Sequence, residues 1–341
     1  MKKIIILLII LFLLLNFNIR AKGKRGNLSN YYNGTVEAYE SKSKNLYICL
    51  LVILLFSGYL IPSLLSYFFL KEPQVNFNTK YEINPPIKLP PAWIELLLKK
   101  HGKVSERAYS STFIDLAFNE YIIVKEENKD YKIIMTDKEM DDNLSDDQKI
   151  LLFLLRRIGK EFNLSDISKL NLKGFKQAFN RAVKENIYEK LKWINSRSKK
   201  YFLLNICLWI FALFISLVFF DLGIIIVSAH NLIFGLIFIP KCSIYTYEGK
   251  LMRFKWRAYK RYLKDKLEDL IKNNDNMTKI KDLIIFGILF GFHRKILKKL
   301  EEENILKEIF SKWFLTRQEK TNKLLKSLNI FISELNKVFR M

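Results

Sequence analysis

Cysteine is scarce. Cys49, Cys207 and Cys242 are the three in 341 residues. Two fall inside apolar runs and the third at the end of one, which is neither a disulfide framework nor a zinc spacing. Histidine is as rare, and His101, His230 and His293 form no metal-ligand pattern. No glycine-rich phosphate loop, nucleophile elbow or paired-carboxylate arrangement occurs. No internal repeat is visible. Seven prolines are spread over the chain, four of them in the pairs Pro85-Pro86 and Pro90-Pro91. These gaps leave no catalytic constellation to name, so the expected protein is non-enzymatic and without a cofactor or metal.

What is present is charge and apolar length, kept apart. Half the residues are hydrophobic, yet 57 Lys and Arg stand against 34 Asp and Glu, for a net charge of +23. The net charge is +6 over residues 1–70, +6 over 71–200, −1 over 201–240 and +12 over 241–341. A basic surface suits anionic lipid or nucleic acid. A Lys- and Asn-rich composition alone accounts for much of the same excess.

The apolar runs set the expected architecture. Lys2 and Lys3 precede Ile4–Leu15, a basic start and an apolar run that read as a signal peptide or a signal anchor over 1–19. Residues 20–45 form a short polar loop, expected outside the cell. Leu46–Leu70 is 25 residues without a charge. As a helix it would reach roughly 37 Å, more than the roughly 30 Å of a bilayer's hydrocarbon core, and it reads as a transmembrane helix in which Pro62 introduces a kink. Tyr201–Phe220 and Leu222–Pro240, broken at Asp221, read as a transmembrane hairpin over 201–240. Seven Lys and Arg in 181–200 and six in 241–260 place both flanks in the cytoplasm, although six in 20–45 argue the other way. The expected location is the cell membrane, multi-pass, with 71–200 and 241–341 cytoplasmic. Within the last span, His230 and Asn231 are polar candidates at membrane depth. They read as functional or as interhelical hydrogen-bonding groups.

Residues 71–144 show local signals of a small α+β module. The proline pairs mark an extended connector. Trp93, Leu96 and Leu97 begin a helical pattern, Ser105–Phe118 a second, with Asp115 as a surface or capping residue. Tyr121–Val124 and Tyr131–Met135 flank a polar turn and predict a β-hairpin. Helix, helix, hairpin is the layout of a winged helix. Ser145 and Gln148 form a capping-box pattern before the apolar run Ile150–Ile158. An amphipathic helix is expected over Gly174–Ile194. Residues 145–200 read as helical, with a second winged-helix-like unit as one option.

The last hundred residues are basic and helical in pattern. Met252, Trp256, Tyr259 and Leu263 recur at helical spacing among Arg253, Lys255, Arg257, Lys260 and Arg261. A basic helix with aromatics suits anionic headgroups at a membrane surface. The candidate residues there are Arg253, Trp256, Arg257, Tyr259, Lys260 and Arg261. Ile284–Phe292 is too short to span and reads as a packed helix. Leu324, Leu328, Phe331, Leu335 and Val338 follow a heptad spacing for little over two heptads. That seam serves either the chain's own core or a homo-oligomer.

The run PPIKLPPAWIELLLKKHGKVSERAYSSTFIDLAFNEYIIVK resembles the YciQ-like predicted membrane protein family, domain of unknown function 2207. The resemblance rests on Pro85, Pro86, Pro91, Ala92, Phe113, Ile114, Asp115, Leu116, Ala117, Tyr121 and Ile122, then on Trp256–Asp265 and Leu283–Gly291. It covers roughly residues 46–300. Where the family has Gly before the tyrosine, this chain has Glu120, so the turn into the first strand is expected to differ. The resemblance implies a shortened version, with about 25 residues where relatives carry a large extracytoplasmic domain. It brings no established activity.

Taken together, the expected fold class is an integral membrane α-helical protein with an α+β cytoplasmic region of winged-helix-like modules and C-terminal helices. The expected function is to present those modules to a protein partner. A membrane-tethered nucleic-acid binder and a small oligomeric transporter or channel are the alternatives. The second predicted helix carries Arg107 alone among Lys and Arg, which weighs against phosphate-backbone binding.

Overall fold

Pro91 starts the first well-defined helix because its fixed φ suits that position and its missing N–H costs nothing there. This computed structural model describes residues 45–54, 56, 71–100, 102–127, 130–195, 198–218, 222–238, 244–272, 277–316 and 321–340. The expected leader over 1–19, the loop over 20–44, Pro62 and the rest of 57–70, and the Asp221 break lie outside the described residues. The chain divides into two compact units, residues 1–68 with 201–239, and residues 69–200 with 240–341.

After the helical residues 45–54 come α1 (Pro91–Lys99), α2 (Glu106–Phe118), β1 (Ile122–Glu127) and β2 (Asp130–Met135). Then follow α3 (Asp146–Ile158), β3 (Glu161–Asn163), α4 (Leu164–Ser168), α5 (Lys173–Glu185) and a π-helical turn (Asn186–Lys190). Next are β4 (Ile194–Asn195), α6 (Ser198–Val218), α7 (Leu222–Phe238), β5 (Ile244–Tyr245) and α8 (Tyr247–Asp265). The chain ends with α9 (Leu267–Lys272), α10 (Met277–Phe290), α11 (His293–Glu302), α12 (Leu306–Phe310), β6 (Phe314–Leu315) and α13 (Thr321–Arg340).

In the larger unit, α1 and α2 are tied by a side chain rather than by sequence alone. The Ser105 backbone N–H and hydroxyl donate to the two Glu95 carboxylate oxygens at 2.8 and 2.6 Å. At the end of α2, the Glu120 N–H donates to the Ala117 carbonyl at 2.9 Å and the Tyr121 N–H to the Leu116 carbonyl at 3.0 Å. That is a Schellman ending. Glu120 has φ +62°, the left-handed region that glycine enters at least cost, so the turn is kept with a less suited residue. The hairpin then forms with Ile122 opposite Met135 and Glu127 opposite Asp130.

The hairpin does not stand free as a wing. Its strands are the inner pair of a four-stranded mixed sheet, in the order β3-β2-β1-β6. β6 joins β1 in parallel, with Val124 opposite Phe314. The helix that would enter a DNA groove, α2, buries ten of its thirteen residues. The winged-helix expectation is therefore corrected: the local order is present, but long-range pairing and burial turn it into the centre of a larger fold. That fold is mostly helical with a small mixed sheet.

The expected integral membrane α-helical class is corrected too. Among the described residues no helix is long and apolar enough to cross a membrane. The 17-residue α7 reaches about 26 Å, and the uncharged part of α6 about 27 Å, against a hydrocarbon core of roughly 30 Å.

A third difference is at Gly174–Ile194. The helix ends at Glu185, passes through the π turn, and Ile194 instead pairs in β4 with Tyr245 of β5. The Asn186 side chain causes the break locally, donating to the Ala182 carbonyl at 2.9 Å and to Asp146 Oδ2 at 3.2 Å. Lys192 then takes φ +52° and turns the chain.

β4 leads to a contact that only glycine allows. A Cβ on Gly249 of α8 would lie 2.0 Å from the Trp193 carbonyl oxygen. The Thr246 N–H and hydroxyl hold that same oxygen at 2.9 and 3.2 Å, so it cannot retreat. Gly249→Ala is expected to cost about 1–3 kcal/mol by overpacking, seen as a lower thermal midpoint of the full chain. An unchanged midpoint would mean that α8 can slide away from Trp193.

Candidate functional site

An open groove of about 1220 Å³ lies in the larger unit, between the start of α2, the outer face of α5, the π turn and the end of α13. Its basic lining residues are Lys103, Lys173, Lys176, Arg181, Lys184 and Arg340, against Glu106, Glu185 and Glu189. The floor is fixed by a hydrogen-bonded pair. Asn180 Nδ2 donates to the Tyr109 hydroxyl at 2.7 Å, while Asn180 Oδ1 accepts from the Val104 N–H at 2.8 Å. Burial pushes the Tyr109 phenol up to about 12, with the Asn180 bond working against the rise. Tyr109 therefore stays neutral at physiological pH. Phe175, Phe179 and Phe339 pack on its ring at 5.7, 4.6 and 5.4 Å between centroids, which makes the floor rigid.

The six candidates on α8 separate by face. Trp256 and Tyr259 are buried and meet the Phe286 ring at 5.2 and 5.9 Å, inside the core. Arg257 and Arg261 are exposed, while Arg253 and Lys260 are half-buried. Arg253, Arg257, Lys260 and Lys264 follow a 4, 3, 4 spacing, so one face of α8 is a continuous basic ridge. The Arg253 guanidinium sits 4.7 Å over the Tyr245 ring. Partial desolvation along its stem lowers the Arg257 guanidinium from its usual range, with the Arg253 charge adding to the effect.

In the smaller unit, Asn231 is buried and donates from Nδ2 to the Leu54 carbonyl at 2.9 Å. That is the helix-to-helix bond open to a polar residue in an apolar bundle. His230 beside it is half-buried. The heptad residues of α13 face their own unit, with Leu328, Phe331 and Leu335 fully buried and Leu324 nearly so.

The family model described as "Predicted membrane protein (DUF2207) C-terminal domain" matches residues 78–300. The chain belongs to this family. No curated protein matches it, and no solved structure does. The DUF2207 match ends inside α11, before β6 and α13. Yet Phe314 and Phe331 from that remainder close the sheet over Tyr131, at 6.1 and 5.0 Å between ring centroids.

Two carboxylates within the DUF2207 region, Asp147 buried and Asp115 half-buried, were not legible as such. Asp147 is fully buried and accepts from Trp93 Nε1–H at 2.8 Å, while its Oδ2 has no hydrogen-bond partner among the described residues. Asp115, expected as a surface or capping residue, is half-buried and accepts from Gln148 Nε2 at 2.6 Å. Burial pushes both up to about 6; the Asp282 carboxylate adds to the rise at Asp115. Among the described residues no group of His, Cys, Asp and Glu is placed to hold a metal ion. The one sequence signal for this pair was Gln148, which reaches both the Ser145 cap and Asp115.

Proposed function

We propose that this DUF2207 protein is a non-catalytic docking module located at the membrane, with residues 71–200 and 241–341 on the cytoplasmic side. Its partner is a protein segment rich in Asp and Glu, laid in the groove between α2, α5 and α13. The groove carries this reading: six basic side chains against three acidic ones stand over a floor locked by Tyr109 and Asn180. Complementary charge of this kind chooses partners and speeds encounter more than it deepens affinity. The exposed Arg257 and Arg261 suit anionic headgroups and support the membrane location. A nucleic-acid role has weaker support, because α2 is buried and cannot enter a groove of DNA.

The test uses the full chain with a photo-crosslinking residue at Gln177, in the groove, or at Phe153, exposed on α3. An adduct specific to Gln177 is expected, and the triple change Lys176→Glu, Arg181→Glu, Lys184→Glu should cut its yield about tenfold, a change of about 1.4 kcal/mol. Equal adducts at both positions, or an adduct that survives the reversal, would remove the groove from the account.

A further inference from the structure

We infer that the corner where α2, α8 and the turn between α10 and α11 meet is a binding site for a phosphate-type anion, held by Arg107, Lys260 and His293. Three elements bring two cationic groups and an imidazole to one short turn. Gly291 has φ +82°, and a Cβ there would lie 2.6 Å from Arg107 Nη1, so the guanidinium rests directly on the turn. The Lys260 ammonium sits 5.1 and 5.9 Å from the ring centroids of Phe290 and Phe292, on either side of that glycine. His293 follows, half-buried, and its Nδ1 has no hydrogen-bond partner among the described residues.

The charges here are not neutralised by the protein. Among the described residues, Arg107, Arg257, Lys260, His293 and Arg294 take part in no ion pair within 4.0 Å. The carboxylate whose charge reaches Lys260 is Glu95, which is already engaged by Lys99 at 2.7 Å and by Ser105. The result is mutual repulsion. Burial, then Arg107 and Arg257, holds the Lys260 ammonium below its usual range. Burial, then Arg294 and Arg107, pushes His293 down to about 4. Like charges gathered at partial burial destabilise a fold unless an anion offsets them. A guanidinium and an ammonium supply the charge-assisted donors that phosphate oxygens accept. α11 begins at His293 with no side-chain cap, so its first backbone N–H groups add to the same field. The corner shares no lining residue with the groove, so either assignment can fail without the other.

The probes are inorganic phosphate and a short-chain phosphatidate (dihexanoyl), added to the full chain and compared with chloride at matched ionic strength. The readouts are the thermal midpoint and the His293 ring titration by NMR. Bound anion is expected to raise the His293 pKa by at least one unit, a tenfold change in proton affinity. The paired change Arg107→Gln, Lys260→Gln removes repelling charge, so it should fold at least as well and lose the response. A response to both probes assigns the site to free phosphate groups, and a response to phosphatidate alone assigns it to lipid headgroups. No response, a response reproduced by chloride, or one retained in the paired variant would overturn the assignment.

Discussion

Phe331→Ala is expected to destabilise the protein by about 3–5 kcal/mol. The ring is fully buried on α13, with Tyr131, Phe314 and Phe113 around it at 5.0, 5.6 and 6.0 Å between centroids. Each such pair adds about 0.5–1.5 kcal/mol beyond area burial. The site cannot collapse easily, because the Tyr131 hydroxyl is held by the Ser327 carbonyl at 2.9 Å. Ile330, next in sequence but 44% exposed, is the control, and Ile330→Ala should stay within about 0.5 kcal/mol. Denaturant unfolding followed by tryptophan fluorescence would measure both. The same experiment separates the two uses of the heptad seam. A core residue gives a loss independent of protein concentration, whereas a seam between copies gives a midpoint that rises with concentration. A loss under about 1 kcal/mol, well short of the range for a buried ring, or a concentration-dependent midpoint, would contradict the packing described for α13.

The features legible in the sequence are the ones written in a short window. Period-two apolar residues on either side of a polar turn predict β1 and β2, and the register from Ile122–Met135 to Glu127–Asp130 follows. Ser145 and Gln148 mark the start of α3 through their capping box. β3 and β6 were not legible, because three and two residues carry no periodicity and become strands only by pairing with the hairpin. For the same reason the hairpin looked like a free wing. Hydropathy measures the length of an uncharged stretch and not of the helix built from it, and among the described residues no helix is long and apolar enough to cross a membrane. On α8 the interleaved bases and aromatics were visible, but helical spacing sends Trp256 and Tyr259 inward and Arg257 outward. The anion corner was beyond reach of any window, since Arg107 lies far from His293 in the chain and its guanidinium reaches Gly291, two residues before His293, only in the fold.

Asp147→Asn is expected to stabilise the protein at pH 7.5 and to leave it little changed at pH 4. The wild-type carboxyl is buried, with one oxygen bonded to Trp93 Nε1–H and the other without a partner among the described residues. Burial raises its pKa from 3.8 to about 6. The folded state therefore binds a proton that the unfolded state releases between about pH 4 and 6. Stability from this group is fully present below pH 4, falls as pH rises through that window, and is flat above it. A rise of that size corresponds to a loss on the order of 3 kcal/mol by neutral pH. Asparagine keeps an acceptor for Trp93 and has no charge to desolvate, so the variant should recover a large part of that loss. Asp115 has its pKa raised to about 6 and acts in the same direction, so the protein should keep part of its slope when Asp147 alone is changed. Carboxyls such as Asp146, lowered by its bonds to Lys190 and Asn186, act in the opposite direction in both proteins and cancel in the difference. The decisive quantity is the wild-type-to-variant gap in unfolding free energy at each pH. A gap that grows from pH 4 to pH 6.5 and then levels identifies Asp147 as a buried charge tolerated at neutral pH. A variant equally destabilised at both pH values would instead mean that its carboxylate makes a bond at Oδ2 that the fold depends on.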